Sequence, residues 1–263
     1  MSCLPIHGRV NCTACFKTNP VIFDQTKETD GDWRITANPL AWGNPNAEIV
    51  VLGFSKGQTQ AGALVNTPHD QIAYKKGRVS VGKILAHVGL IPKGDNEFLR
   101  KTVDKIIADK TGRFHFGSLI RCAVEQRDKK SPNDWIGSGA GMLDKFVATK
   151  FGQDISQKCS STFLGNLPPQ TKLVVMFGMG AKQNYVEETF KLFQKARPTK
   201  TWKCINDVAY HDGEITVVHV EHFAAQGALI PNWMGTNKHE RSKLGNMAIE
   251  AVQQSSVSTF LNK

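Results

Sequence analysis

The chain has 263 residues and carries 33 Lys and Arg against 23 Asp and Glu, which gives a formal net charge of +10. It contains no apolar run long enough to cross a bilayer, and no signal-peptide pattern follows the first charged residues. We therefore expect a cytoplasmic protein without membrane contact. Thiols stay reduced in that compartment, so the six cysteines are expected to bind metal, react or pack rather than form disulfides. The excess positive charge predicts a polyanion such as DNA as the partner.

The predicted elements alternate between short buried strands and amphipathic helices. Continuous apolar runs that stop at glycine or at a polar residue are typical of strands buried on both faces. Apolar residues spaced three and four apart predict helices. In chain order we predict a strand at 47–54, helices at 79–90 and 96–110, strands at 113–122 and 171–180, a helix at 184–196, a strand at 214–222 and a final helix at 242–261.

This alternation predicts the α/β class, because strands joined through helices form a mostly parallel sheet covered on both faces. We expect one domain over residues 1–263, with three α/β/α layers and a central, mostly parallel four-stranded sheet. Ligand sites in such folds lie where the strands end. Glycine-rich segments follow three of the predicted strands, namely GFSKGQTQAG, GMGAKQ and HFAAQG, and their shared position predicts one composite cleft.

Four of the cysteines have a spacing that suits a metal. Cys12 and Cys15 form a C-x2-C pair, which can bind a metal from a single turn. Cys122 ends a predicted strand, and Cys159 begins a helical stretch. Both zinc and a [4Fe–4S] cluster accept four thiolates, and buried cysteines without a ligand are a third alternative. Spacing alone does not choose among them.

The order of these motifs resembles the iron–sulfur branch (family 4) of the uracil-DNA glycosylase superfamily. The matching phrases cover roughly residues 12–230 and are CTAC, WGNPNAEIVVLGFSKG, GRVSVGKIL, FGSLIRC, CSSTFLGNLPPQTKLVVMFGMGA and VVHVEHFAAQG. The resemblance implies a [4Fe–4S] cluster held by four cysteines, namely Cys12, Cys15, Cys122 and Cys159. Residues 1–45 are then the cluster-binding segment, and Cys3 and Cys204 stay outside the ligand set.

The pocket departs from the family pattern in four places. The first motif is G-E-x-P-G in the family, whereas this sequence has GFSKG at 53–57 and therefore lacks the carboxylate. The last motif is H-P-S in the family, and this sequence has HFA at 222–224. Ser80 stands where the family has the Phe that stacks on uracil, and Ser118 stands where it has the Asn that reads uracil. The positions that match the family's substrate contacts are Gly53, Phe54, Ser55, Ser80 and Ser118. With less bulk and less uracil-specific hydrogen bonding, the pocket is expected to accept a larger, modified base.

His222 is the one polar group of the family's pocket that this sequence retains, and the resemblance implies that it is catalytic. Cleavage of a base–sugar bond needs a donor for the departing base anion and an activated water. His222, at a strand end, suits the donor. For the water we consider Gln58, to orient it, and Asp70 or His69, to act as the base.

We therefore expect an enzyme, a DNA glycosylase that flips out and excises a bulky modified base and leaves an abasic site. Removal of modified bases from phage DNA would be a natural use. Two alternatives stay open from the sequence: uracil excision in base excision repair, and an iron–sulfur protein that binds DNA without catalysis.

DNA contacts are expected on basic residues beside the cleft. The late segment NWMGTNKHERSK (232–243) follows the H-P-S position, after which the family's chain enters the minor groove. The predicted phosphate contacts are Lys56, Lys238, His239 and Arg241. Trp233 is the aromatic expected beside them, and RDKKSP (127–132) is a second basic candidate. We expect the protein to act as a monomer.

Overall fold

The computed structural model describes residues 4–57, 60, 62–63, 66–131, 133–137, 142–180, 182 and 184–261. The strands in this part of the chain are β1 (Gly8–Arg9), β2 (Lys27–Asp30), β3 (Trp33–Thr36), β4 (Leu40–Gly43), β5 (Ile49–Gly53), β6 (Phe114–Ser118), β7 (Ala123–Arg127), β8 (Trp135–Gly137), β9 (Leu173–Phe177), β10 (Lys203–Asn206), β11 (Ala209–His211) and β12 (Thr216–Val220). The helices are α1 (His69–Ile72), α2 (Arg78–His87), α3 (Asn96–Ala108), α4 (Met142–Val147), α5 (Lys150–Leu164), α6 (Asn184–Ala196), α7 (Leu229–Trp233) and α8 (Ser242–Gln254). None of these helices is both long and apolar enough to span a bilayer.

Eight strands form one large sheet in the order β1-β4-β6-β5-β9-β12-β11-β10. The middle strands β6, β5, β9 and β12 pair in parallel, and the other four strands join them antiparallel at both edges. The middle strands are buried along their whole length, as in the LVVMF sequence of β9, which is what strands covered on both faces require. The structure thus confirms the α/β class.

The sheet has eight strands rather than the predicted four. The additional strands have only two to four residues each, too few to produce an apolar run or an alternation that stands out in the sequence. They form because a neighbouring strand is present, as where Trp42 of β4 pairs with Phe116 of β6. Their strand conformation therefore follows from tertiary pairing rather than from a local pattern.

A second, smaller sheet has the order β2-β3-β7-β8 and is antiparallel throughout. Only the first part of the predicted strand at 113–122 forms a strand, and the chain then passes to the smaller sheet. The strand ends as β6 at Ser118, and the N–H groups of the next two residues donate to the carbonyls of Gly53 and Phe54. Cys122 lies directly before β7, at the junction of the sheets.

The predicted helices agree closely with the observed ones, except at the end of the chain. Helix α6 has the predicted bounds. Helix α3 begins at Asn96 because the side chain of Asp95 accepts a hydrogen bond from the N–H of Phe98. The final helix α8 ends at Gln254, well before the predicted residue 261. Beyond it the N–H of Phe260 donates to the carbonyl of Gly89 instead of continuing the helix.

The buried apolar side chains form two cores. The larger core packs on the large sheet, and the smaller core brings together β3, β7, α4 and α5. Cys122 and Cys159 belong to the smaller core, and Cys15 packs against it. Phe54, just after β5, contacts both cores. The end of β5 therefore connects the large sheet with the region of the cysteines.

Candidate functional site

The carboxyl ends of the central parallel strands form one edge of the candidate site. The register places Ser118 beside Gly53, and Phe177 beside Val220, at the same level of the sheet. A Cβ added to Gly53 would meet no atom of the described residues within 4 Å, so these residues leave open space above the end of β5. In parallel sheets this edge is where ligands bind.

His222 follows β12 at this edge and has a defined tautomer. Its Nδ1 accepts a hydrogen bond from the N–H of Ala224 at 3.2 Å, so the neutral ring carries its proton on Nε2. The ring is half-buried and stacks on Phe223 with a centroid distance of 4.6 Å. Burial lowers the pKa of His222 below its usual 6.5, although the Glu221 carboxylate opposes this shift. No described residue hydrogen-bonds to Nε2, and the side chain therefore offers a neutral N–H donor near pH 7.

Glu221 and Arg241 hold the backbone at His222. Glu221 is buried and accepts the N–H of His222 through Oε1 at 3.0 Å. Its Oε2 accepts from Nε of Arg241 at 2.6 Å. The guanidinium predicted to contact phosphate is thus already bound to a buried carboxylate. Arg241 therefore helps to fix the His222 loop, and a phosphate contact through the rest of its guanidinium stays a prediction.

Tyr74 is an aromatic residue of the site that the sequence analysis missed. Its ring lies 6.0, 5.6 and 4.9 Å from the rings of Phe116, Phe177 and Phe223, so it covers the strands on either side of β5. Its hydroxyl is buried without a hydrogen-bond partner among the described residues, and burial raises its pKa. Its φ of 53° lies in the left-handed region, which is strained for a tyrosine. Strain together with an unpaired polar group is typical of functional positions. Tyr74 lies in a non-periodic stretch, so no sequence signal marked it.

The three predicted serine contacts lie around this edge. Ser118 ends β6 and is buried, while Ser55 lies two residues beyond β5 with its hydroxyl buried and unpaired among the described residues. Ser80 is half-buried in the first turn of α2. Gly77, just before that helix, packs so closely on Phe223 that a Cβ would lie 2.7 Å from its ring. The beginning of α2 is therefore held against the His222 loop.

Phe54 and Lys56 of the first glycine loop turn away from this edge. The half-buried ring of Phe54 packs edge-on against that of Phe146, with a centroid distance of 6.2 Å. Lys56 is only 1% exposed, and its Nζ donates to the carbonyl of Arg121. A side chain so buried does not reach a phosphate, and the prediction of Lys56 as a DNA contact is corrected.

Asp70, the predicted alternative base, belongs to a separate cluster. Its carboxylate pairs with Nε2 of His7 at 2.7 Å, and Nε2 of the neighbouring His69 lies 2.9 Å from the carbonyl of Ala41. These contacts hold the cluster against β4, four strands from β12 in the sheet, or about 19 Å at the usual strand spacing. The structure therefore does not bring Asp70 or His69 to His222. The other candidate, Gln58, lies outside the described residues.

The cluster of His7, His69 and Asp70 is the one group of three metal-ligand atoms within 4.8 Å of one another in the described part of the chain. Its hydrogen bonds oppose metal binding. Nδ1 of His7 accepts the N–H of Gly43 at 3.1 Å, which leaves the ring proton on Nε2, facing Asp70. A ligand nitrogen needs its lone pair free, so this cluster fastens the N-terminal segment to β4 and α1 instead.

Three of the four predicted cluster ligands, Cys15, Cys122 and Cys159, lie at the smaller core. Cys122 and Cys159 are buried, and Cys12 and Cys15 are half-buried. Cys15 interacts electrostatically with Cys122 and Cys12, and Cys159 interacts with Cys122 and Cys15. Burial, together with this mutual repulsion, raises the pKa of Cys15 to about 11 and that of Cys159 to about 12. Thiolates at this site therefore need a positive group to stabilise them.

Backbone N–H groups already point at two of the sulfurs. The N–H of Asn38 hydrogen-bonds to Cys122, and that of Arg121 hydrogen-bonds to Cys159, which favours the thiolate form of each. Such bonds are a feature of iron–sulfur sites, where they tune the cluster. Neutral packing cysteines do not require them.

The turn of the C-x2-C pair is tied to α5, because Nζ of Lys158 donates to the carbonyl of Ala14 at 3.1 Å. The N-terminal segment is therefore fixed beside the helix that carries Cys159.

The exposed basic residues near the His222 edge are partly those predicted. Lys238 and His239 are exposed in the loop before α8. Lys75 and Lys76 are exposed beside Tyr74 and were missed, although the adjacent pair of lysines was a visible signal. Trp233, the aromatic expected beside the basic residues at the DNA, is instead fully buried, with its ring 4.8 Å from that of His87, and that prediction is corrected.

The second basic segment, RDKKSP, forms the turn between β7 and β8. Lys129 and Lys130 are exposed there, while Pro132 lies outside the described residues. Trp135 of β8 lies under the guanidinium groups of Arg34 and Arg127. The centroid of its ring is 4.4 Å from Cζ of Arg34 and 4.7 Å from Cζ of Arg127. This turn is thus basic but lies on the smaller sheet, away from the His222 edge.

No protein-family model matches the chain, and no curated protein matches it either.

Proposed function

We propose that the protein is a DNA glycosylase that flips a bulky, modified base out of DNA and hydrolyses its bond to the sugar. The observation that carries this proposal is the neutral His222, with Nδ1 held by Ala224 and Nε2 left for a ligand, at the edge where Gly53 leaves open space. A three-layer α/β/α arrangement around the parallel strands, a cytoplasmic location and use against modified phage DNA belong to the same proposal.

In the proposed reaction the bond between the sugar C1′ and the base nitrogen breaks, and its electron pair leaves with the base. Nε2–H of His222 donates to a base oxygen on which this charge accumulates, and the half-buried position of the ring strengthens the bond. Water adds its oxygen to C1′, and the proton that it releases passes to the departing base or to solvent. Gln58 is proposed to orient this water.

The small side chains at the site support a bulky substrate. Ser80 and Ser118 replace the aromatic and the amide of the resembling family, which removes both volume and the groups that read a uracil edge. The unpaired hydroxyls of Ser55 and Tyr74 offer hydrogen-bonding groups to a polar substituent. The proposed substrate is therefore a pyrimidine that carries such a substituent.

Filling the pocket should reverse this preference. Ser80→Phe places an aromatic ring in the first turn of α2 and is expected to exclude the bulky base by steric clash, lowering its excision at least about tenfold, the loss that corresponds to about 1.4 kcal/mol. Excision is measured on oligonucleotides with the modified base, and Ser80→Ala, which keeps the space, should stay near wild type. Unchanged activity in Ser80→Phe would show that Ser80 does not line the pocket.

The cysteine site supports a [4Fe–4S] cluster on Cys12, Cys15, Cys122 and Cys159 as the cofactor. The proposal rests on the chemistry of the donors: three of the thiols lie at the smaller core, and backbone N–H groups are directed at two of them. When bound, the cluster would supply structure, by joining the N-terminal segment to β7 and α5.

Binding to DNA is proposed to use exposed cations rather than buried ones. Lys238→Ala should weaken binding alike for every DNA sequence and reduce the slope of log affinity against log salt by about one unit. Fluorescence anisotropy across a salt series measures this slope. Lys150→Ala, which removes another exposed lysine at the start of α5, is the control and should leave the slope unchanged. A salt-independent affinity of the wild type would remove nucleic acid from the proposal.

The test of the proposed function compares three DNA substrates: modified phage DNA, uracil-containing DNA and unmodified DNA. After incubation, alkali cleaves the strand wherever a base has been removed. Breaks in the modified DNA alone support the proposal, and breaks in uracil DNA alone establish the uracil glycosylase instead. Binding without breaks in any substrate would identify a non-catalytic DNA-binding protein.

A further inference from the structure

We infer that Lys56 and Arg121 are internal counter-cations of the four-cysteine site, and that their charges retain the cluster and raise its reduction potential. This inference rests on the cofactor part of the proposed function. Lys56 was predicted from the sequence to contact phosphate, and Arg121 was not among the predicted site residues.

Both cations are buried and lack a carboxylate partner among the described residues. Lys56 and Arg121 are each 1% exposed. Nζ of Lys56 donates to the carbonyl of Arg121, the residue directly before Cys122. The guanidinium of Arg121 lies over the ring of Phe163 at 5.1 Å, and its Nε and Nη2 have no hydrogen-bond partner among the described residues. Two buried charges without an anion are costly, by several kcal/mol each.

The cysteines supply the missing anion. Lys56 interacts electrostatically with Cys122 and Cys159, and Arg121 interacts with Cys159 and Cys12. Four thiolates around an oxidised [4Fe–4S] core carry a formal charge of about −2, which two adjacent cations balance. Neutral, unliganded thiols offer no such compensation. The pair of cations thus fits a thiolate site with a net negative charge.

Lys56 also links this charge to the candidate active site. It lies in the loop GFSKG, three residues after Gly53, so one short loop reaches the open space at one end and the cysteines at the other. Phe54 of the same loop packs into both cores. Anchoring by Lys56 therefore positions the loop that borders the substrate, and Lys56 acts as a positioning residue.

The experiment compares variants that remove charge with variants that keep it. Lys56→Met nearly preserves the length of the side chain and removes its positive charge. Arg121→Gln removes the positive charge of the second cation, and Arg121→Lys keeps it. Lys17→Met is the matched control, since Lys17 lies two residues from Cys15 but its side chain is 91% exposed. The anaerobically purified proteins are compared by iron per chain and by the midpoint potential in a redox titration followed by electron paramagnetic resonance.

We expect Lys56→Met and Arg121→Gln to lower the midpoint potential or to lose iron, because reduction adds negative charge that the cations stabilise. Lys17→Met and Arg121→Lys should stay close to wild type. If Lys56→Met does not fold, the two Arg121 variants make the same comparison. Equal potentials and iron contents in wild type, Lys56→Met and Arg121→Gln overturn the inference while leaving the cluster intact. A wild type without iron overturns the cofactor proposal itself.

Discussion

His222→Ala is expected to lower the rate of base release by about 10²–10³-fold, with DNA affinity and iron content unchanged. The side chain would act on charge that develops only as the base departs, so its loss should appear in kcat rather than in binding. Single-turnover release of the modified base from an oligonucleotide measures the effect. His211→Ala is the control and should leave the rate unchanged, because His211 pairs with Thr216 at the start of β12, the end of the strand opposite His222.

The pH dependence gives a second measure of the same residue. Burial lowers the pKa of His222 below 6.5, so the neutral ring is present at pH 7 and is lost as the pH falls through this lowered value. Protonation also places a proton on Nδ1, which then no longer accepts the Ala224 N–H that fixes the ring. The rate should therefore decline on the acidic side with an apparent pKa below 6.5. Base release that survives His222→Ala at the wild-type rate would contradict the proposed mechanism.

The parts of the fold that the sequence predicts well are those determined locally. The run LVVMF is apolar at every position, which suffices to mark a strand buried on both faces. Helix α6 is equally clear, since its apolar residues recur at helical spacing. Strands β1, β4, β10 and β11 escape prediction because their two to four residues form strands only beside a neighbour.

In the candidate site, too, the features set by local sequence are predicted and those set by packing are not. The spacing of Cys12 and Cys15 identifies them as a pair. The packing of Cys122 and Cys159 near Cys15 depends on where β7 and α5 lie, which no local sequence pattern records. Lys56 in a glycine loop looks like a phosphate contact, and only the packed structure shows its amine turned inward to the Arg121 carbonyl. Charge type is visible in a sequence, whereas the direction in which a side chain points is not.

Tyr74 and Trp233 show that the sequence does not reveal whether an aromatic side chain faces the core or the candidate site. Trp233 lies among basic residues in the sequence, which is typical of a stacking aromatic, yet it faces the core beside His87. Tyr74 lies in a stretch without periodicity, yet it crosses the end of the parallel strands with its hydroxyl unpaired among the described residues. Both outcomes follow from how the loops pack on the sheet.

The second large effect is expected from Cys159→Ala, which should remove the cluster and much of the folded protein with it. Ligation would join α5 to the segment before β7 and to the N-terminal turn, regions far apart in the chain. Closing such long loops costs entropy, which bound metal would help to offset. Structural metal sites with thiolate ligands contribute on the order of 10 kcal/mol to folding. The loss of one ligand should therefore leave colourless, poorly soluble protein.

Anaerobic purification, iron analysis and the absorbance near about 400 nm, where four-thiolate iron clusters absorb, measure this loss. Cys204→Ala is the matched control, because Cys204 is exposed on the edge strand β10 and should leave colour and solubility at the wild-type level. The buried Lys56 and Arg121 sharpen the expectation, since the removal of the cluster leaves two cations in the interior without an anion. Such a protein should unfold at a lower denaturant concentration than wild type even where it remains soluble. Wild-type protein that is colourless and holds one zinc ion, or Cys159→Ala that keeps its iron, would show that these four cysteines serve another purpose.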